Sequence, residues 1–197
     1  KTGGLLMLAG AASVCVLGFV ELGGKQALQA LTMEQLVGFV LKGLGVGICV
    51  AILEEIIFRG IFQKIWIRGT GKWTGVVIAS LLFAWLHGRP EGTNHSWELA
   101  LKYATTWPAN LPLMTFVNLT LLGGVTGILY ERGKTLWWPI GLHAGIVAAV
   151  IPVSEVLRNA DPSLGKMALM TSSATTGLLI IWMLAAGLWK ARARRAA

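Results

Sequence analysis

Glu54, Glu55 and Arg59 stand within a turn and a half of an otherwise oily stretch, ICVAILEEIIFRGIF. A charged side chain at the centre of a membrane-spanning helix costs roughly 2.5 to 3.5 kcal/mol, so three in one place need partners. Two further polar signals lie in apolar runs, His87 at the end of Phe83-Ala-Trp-Leu-His87 and His143 in Trp138-Pro-Ile-Gly-Leu-His143. Counted from the basic residues Arg68, Lys72 and Lys134 at about 1.5 Å per residue, Glu54 lies about 21 Å deep, His87 about 22 Å and His143 about 14 Å. The three are expected to converge near the middle of a bilayer.

A carboxylate and two imidazoles in a dry pocket suit two hydrolytic chemistries. In one, Glu54 takes a proton from water, His87 orients that water and His143 donates to the oxyanion of a tetrahedral intermediate. In the other, Glu54, His87 and His143 ligate zinc, which acidifies a bound water. Glu55 and Arg59 are four apart and share a helix face, so they are expected to pair, leaving Glu54 about 100° away and free for chemistry. Each polar residue also has a structural reading: Glu55 with Arg59 as a buried pair, and either histidine as an interhelical hydrogen-bonder.

The elements that must position these groups are apolar. Of 197 residues 55% are hydrophobic and 13% charged, with a mean hydropathy of +0.67, which describes an integral membrane protein. Unbroken runs, without period-two alternation, predict helices and exclude a barrel. Six spans are expected: Gly3 to Val20, Leu36 to Ile67, Thr74 to His87, Leu111 to Tyr130, Leu136 to Val153 and Ser172 to Trp189. The fold class is therefore all-α, a polytopic bundle of about six transmembrane helices around a buried polar site, with residues 1–197 as one domain. The second run, about 48 Å as a helix, must bend, tilt or protrude. The chain opens on Lys1 without a recognisable signal-peptide cleavage pattern, so the first run is read as a mature span, with further spans upstream left open.

A net charge of +8 is explained by topology and does not call for nucleic acid. Lys64, Arg68, Lys72, Arg132, Lys134 and the tail cations Lys190, Arg192, Arg194 and Arg195 all fall on one side, which predicts a cytoplasmic C-terminus, with the plasma membrane as the expected bilayer. Trp66, Trp73, Trp137, Trp138 and Trp189 read as an interfacial belt, and Trp97 and Trp107 as belt or substrate entrance. The stretch from Arg89 to Asn110 is the one connection long enough for a lid or re-entrant segment, and His95 within it reads as solvated. Cys15 and Cys49 have no nearby second thiol and read as small buried hydrophobes.

The motifs resemble those of the CPBP family of intramembrane CAAX-processing and bacteriocin-processing proteases, also called Abi, which includes the Ras-converting CAAX endopeptidase. Glu54, Glu55 and Arg59 match its Glu-Glu-x-x-x-Arg motif, Phe83 and His87 its Phe-x-x-x-His motif, and His143 the start of the third. The resemblance covers about Leu44 to Val150. It implies a membrane endopeptidase, with a peptide or membrane-protein substrate, in which Glu54 activates water with His87, His143 helps bind the oxyanion, and Glu55 and Arg59 shape the site. It favours no metal cofactor, with zinc as the alternative. It also implies a polar residue four positions after His143, where this chain has Val147; losing an oxyanion donor costs about 2.7 to 4 kcal/mol. Asn118, Thr126 or Asn110 is the expected replacement, and the alternative function is a non-catalytic immunity or accessory binding protein of the same fold.

Overall fold

The computed structural model describes residues 2–21, 32–87, 112–160 and 173–193. Among these all regular structure is helical: α1 (Thr2–Glu21), α2 (Met33–Glu55), a π-helical segment (Ile56–Phe62), α3 (Gln63–Thr70), α4 (Lys72–Leu86), α5 (Leu113–Gly133), α6 (Trp137–Ala160) and α7 (Ser173–Ala193). The six expected runs each correspond to one helical rod. The stretch from Arg89 to Asn110, with His95, Trp97, Trp107 and Asn110, and the tail from Arg194 onward lie outside the described residues.

The long second run is a single helical path from Met33 to Thr70 that changes its winding over Ile56–Phe62. A capping box opens it: Gln35 N–H donates to Thr32 Oγ1 (3.2 Å) and Thr32 N–H to Gln35 Oε1 (3.0 Å), satisfying two amides that would otherwise lack partners. It stops at Gly71, whose φ of +91° serves as the corner into α4 and is a conformation that glycine adopts without steric cost. This path, α5 and α6 are long and apolar enough to cross a membrane; α1, α4 and α7 contribute shorter apolar stretches. The protein is an integral membrane protein.

Helix α6 is the central post. On one side α1 approaches so closely that a Cβ at Gly145 would stand 1.9 Å from the Met7 carbonyl oxygen, and one at Gly141 2.0 Å from that of Gly3. On the other side α2 docks through Gly43 and Gly47, where a Cβ would meet the Ala148 carbonyl at 2.4 Å and the Ala144 carbonyl at 2.8 Å. Small residues of this kind let helix backbones meet in lipid, where apolar burial gives no advantage over acyl chains. Helices α4, α5 and α7 close the bundle around Phe58, Phe83, Leu119, Leu122 and Leu179.

Cys15 and Cys49 are exposed rather than buried. On a helix facing acyl chains the exterior is as apolar as the interior, so a thiol has no need of a core position. Trp66, Trp73 and Trp137 are exposed at the basic end, as expected of a belt.

The close crossing predicts an asymmetry among glycines. Gly145→Ala places a methyl against backbone and should destabilise by about 1–3 kcal/mol. Gly45→Ala, with nothing within 4 Å of its Cβ position, should be neutral or stabilising by up to about 1 kcal/mol. Thermal melts of the two variants in detergent provide the comparison; equal melting temperatures would refute the packing.

Candidate active site

The wall of the site is set by a stripe of spacing four along the long helix. Gly43, Gly47, Ala51, Glu55, Arg59 and Gln63 are all buried. The glycines bring α2 onto α6, so the next turns press Glu55 onto α6 too. There His143 Nδ1 lies 2.8 Å from Glu55 Oε1. Arg59 and Gln63 follow within and after the π segment, and they turn toward α5 instead. Arg59 Nη2 donates to the Gly123 carbonyl at 3.0 Å and to Thr126 Oγ1, and Gln63 Nε2 donates to the Gly127 carbonyl at 3.3 Å and to Glu131 Oε1 at 3.4 Å. A π-helical turn within an α-helix commonly marks a functional site.

Glu55 and Arg59 pair as expected, with Nε and Oε2 3.1 Å apart and both side chains essentially inaccessible. The contact is ionic rather than a well-aligned hydrogen bond, since neither atom has a hydrogen-bonded partner among the described residues. The guanidinium also lies over the Phe83 ring, 5.0 Å from its centroid, a cation–π contact that strengthens when desolvated. Phe83 is the hub of this region: it stacks at 4.3 Å on His87 and meets His143 edge-on at 5.8 Å.

Glu54 sits beside this wall, and its carboxylate reaches both histidines. Its Oε1 is 3.3 Å from His87 Nε2 and its Oε2 3.7 Å from His143 Nε2. Glu54 and His87 are partly exposed, at 23% and 30%, whereas His143 is buried, so the cluster is open on the Glu54–His87 side. The three residues predicted from sequence to converge do so. Counted at the helical rise, Lys42, which pairs with Glu155 at 3.8 Å, and Lys64 are about 33 Å apart, and Glu54 falls near the middle of that interval.

Proton positions follow from the partners. A carbonyl oxygen only accepts, so His87 Nδ1, 2.7 Å from the Phe83 carbonyl, carries its hydrogen. His143 Nδ1 likewise carries a hydrogen toward Glu55, whose charge is matched by Arg59. In each neutral ring Nε2 is then a bare acceptor, and both face the acceptor oxygens of Glu54. A molecule with two hydrogens, such as water, satisfies this convergence, as does a protonated ring. It follows that His143 donates at Nε2 only when both of its nitrogens are protonated. Glu54, His87 and His143 are also the donors a cation would meet, although no group of three His, Cys, Asp or Glu among the described residues is arranged to hold a metal ion.

Of the expected replacement donors for Val147, Thr126 is committed elsewhere and Asn118 is tied to α7. Thr126 receives Arg59, and its hydroxyl lies 3.0 Å from the Leu122 carbonyl that it can donate to. Asn118 Oδ1 accepts from Thr176 Oγ1 at 2.7 Å, beside an apolar pocket formed with Val14, Leu119, Ile146, Val150 and Leu179. Val147 itself is partly buried, one turn along α6 from His143. Gln63 and Glu131 were not expected at the site, and Thr126, expected as a replacement donor, instead accepts from Arg59. The stripe continuing from Glu55 through Arg59 to Gln63 was the available signal for one of them. Glu131 is buried and anchors the basic end, with Lys134 at 2.6 Å and Lys72 at 3.7 Å.

A model of the Rce1-like family, type II CAAX prenyl endopeptidases, matches residues 36–149, more than half of the chain and the whole of the cluster. The chain belongs to the Rce1-like family. No curated protein and no solved structure matches it. Membership of the Rce1-like family makes it, at family level, a CAAX-protease-like membrane protein, and Glu54, His87 and His143 all lie within the matched region.

Arg59→Leu leaves the Glu55 carboxylate buried without its counter-ion and should cost about 3–5 kcal/mol. Glu54→Gln, at a part-exposed position, should cost far less. Comparing the melting temperatures of the purified variants checks the ranking, and a milder loss in Arg59→Leu would contradict the assignment of Arg59 as the counter-ion.

Proposed function

We propose that the protein is an intramembrane endopeptidase that hydrolyses a peptide bond with water activated by Glu54. The convergence of His87 Nε2 and His143 Nε2 on the Glu54 carboxylate carries this reading. Water bound among the three acceptors gives one proton to Glu54 as its oxygen attacks the scissile carbonyl, while His87 holds the water in line. The other water proton passes to the bare Nε2 of His143, and the ring, its Nδ1 hydrogen still directed at Glu55, then donates at Nε2 to the oxyanion. Glu54 and His143 each pass their proton to the departing amine, which leaves as an ammonium beside the new carboxylate and returns both side chains to their starting states. Every proton is accounted for without a metal, and we propose a metal-free site.

The substrate class that fits is a short peptide or the membrane-proximal segment of a protein. It would approach from the open Glu54–His87 side. The positive-inside rule supports a cytosolic basic end, with the C-terminus on the same side and the plasma membrane as its location. Val147 favours a second reading, a non-catalytic accessory or bacteriocin-immunity protein that keeps the cluster as a structural knot. In that case Glu54→Gln would leave a cellular phenotype intact.

The test is cleavage of prenylated and unprenylated CAAX peptides by protein in lipid nanodiscs. Glu54→Gln should lower kcat by about 10²–10⁴-fold, the usual contribution of a general base, without loss of folded protein. Retained cleavage in Glu54→Gln removes the proposed base, and near-stoichiometric zinc that is absent from Glu54→Ala removes the metal-free mechanism.

A further inference from the structure

Three consecutive contacts run outward from His143. Its Nδ1 is on Glu55 Oε1 at 2.8 Å, Glu55 Oε2 is 3.1 Å from Arg59 Nε, and Arg59 Nη2 is held by Thr126 Oγ1 and the Gly123 carbonyl on α5. Glu55, Arg59, Thr126 and His143 are all buried, with exposures of 0%, 1%, 0% and 2%. No water competes for these groups at such burial, so the rotamer of each is set by the next.

The outer end of the chain of contacts is the part that can be varied. Among the described residues, Arg59 Nη1 has no hydrogen-bonded partner, and its Nε faces Glu55 without hydrogen-bond alignment. The hydrogen bonds of the guanidinium to the described residues are therefore the two made by Nη2. The Gly123 carbonyl is a helix backbone oxygen and cannot be tuned. The Thr126 hydroxyl is the one side-chain acceptor, and it can direct its own hydrogen to the Leu122 carbonyl at 3.0 Å, which leaves its lone pairs for Arg59.

We propose that Thr126 is a positioning residue for the reaction: by fixing Arg59, and through it Glu55, it holds His143 as the Nδ1–H tautomer with Nε2 aimed at Glu54. Thr126 touches neither Glu54 nor His87. It works through α5, and none of the motifs that flag the site contains it. This inference rests on the peptidase reading for its kinetic consequence but not for its structural one.

Two measurements on Thr126→Val, which keeps the side-chain shape and removes the oxygen, decide the matter. The first is ¹⁵N NMR of the histidine rings; the chain has three histidines, so His87→Gln and His95→Gln variants identify the His143 signals. Wild type should show a protonated Nδ1 and a bare Nε2, and Thr126→Val a mixture of tautomers. The second is steady-state cleavage, where misplacement of about 1 Å costs on the order of 10²-fold. Thr126→Val should lose about ten- to a hundredfold in kcat with KM unchanged, and Thr126→Ser, which restores the acceptor, should recover most of it. Thr126→Ala removes the same oxygen with less bulk and serves if the Val variant fails to fold. A single His143 tautomer in Thr126→Val, or a kcat loss that Ser does not rescue, overturns the proposal. If wild type cleaves nothing, the peptidase reading fails on its own, and the ring nitrogens still decide the role of Thr126.

Discussion

A carboxylate without access to water must be matched by charge and hydrogen bonds, and Glu55 is that carboxylate here. Its two oxygens are divided between Arg59 on its own helix and His143 on α6. Breaking a buried pair of this kind costs several kcal/mol, so Glu55 helps hold the long helix and α6 in one register. Everything else at the site follows from that register. With His143 turned by Glu55, its far nitrogen faces Glu54; with Arg59 drawn toward Glu55, its guanidinium spans to α5 and lies over Phe83. Buried Glu55 thus does more for the architecture than part-exposed Glu54.

The glycines of α2 and α6 serve the same end by different physics. Lipid removes the hydrophobic drive for helix association, leaving close packing and polar contacts. Gly43 and Gly47 bring α2 against the carbonyls of Ala148 and Ala144, and two turns later Glu55 meets His143 at hydrogen-bond distance. A bulkier residue at Gly47 would move the two helices apart and stretch that bond. At the opposite end Glu131 collects Lys72, Lys134 and Gln63, tying α3, α4 and α5 together at the basic end. The site lies between these two fastenings, which is where three imposed charges are tolerable.

Much of this was legible in the sequence because membrane physics leaves few choices. Unbroken apolar runs become helices, and the run boundaries set within a few residues the ends of α1, α4 and α5. Glu54, His87 and His143 were legible through depth, since polar residues at a common level in lipid must find one another. The Glu55–Arg59 pair followed from a spacing of four. The π-helical segment was not legible: excess length announces a deviation without saying which. Nor was the second partner of Glu55, because a bond from α2 to α6 depends on how closely two helices approach. Gln63 and Glu131 look, in sequence, like ordinary residues of helix ends and interiors, and Thr126 stood out only as a replacement donor, not as the acceptor for Arg59. Cys15 and Cys49 were misplaced because an apolar environment was equated with burial, and in a bilayer the two differ.

The central claim is that a water molecule, activated by Glu54, attacks the peptide carbonyl directly. A single turnover in H₂¹⁸O, followed by mass spectrometry of both product and enzyme, tests it. The account predicts one ¹⁸O in the new carboxylate of the product and none in the peptide that contains Glu54. Unlabelled product with ¹⁸O in the Glu54 side chain would mean that Glu54 attacks as a nucleophile, and the account would be wrong.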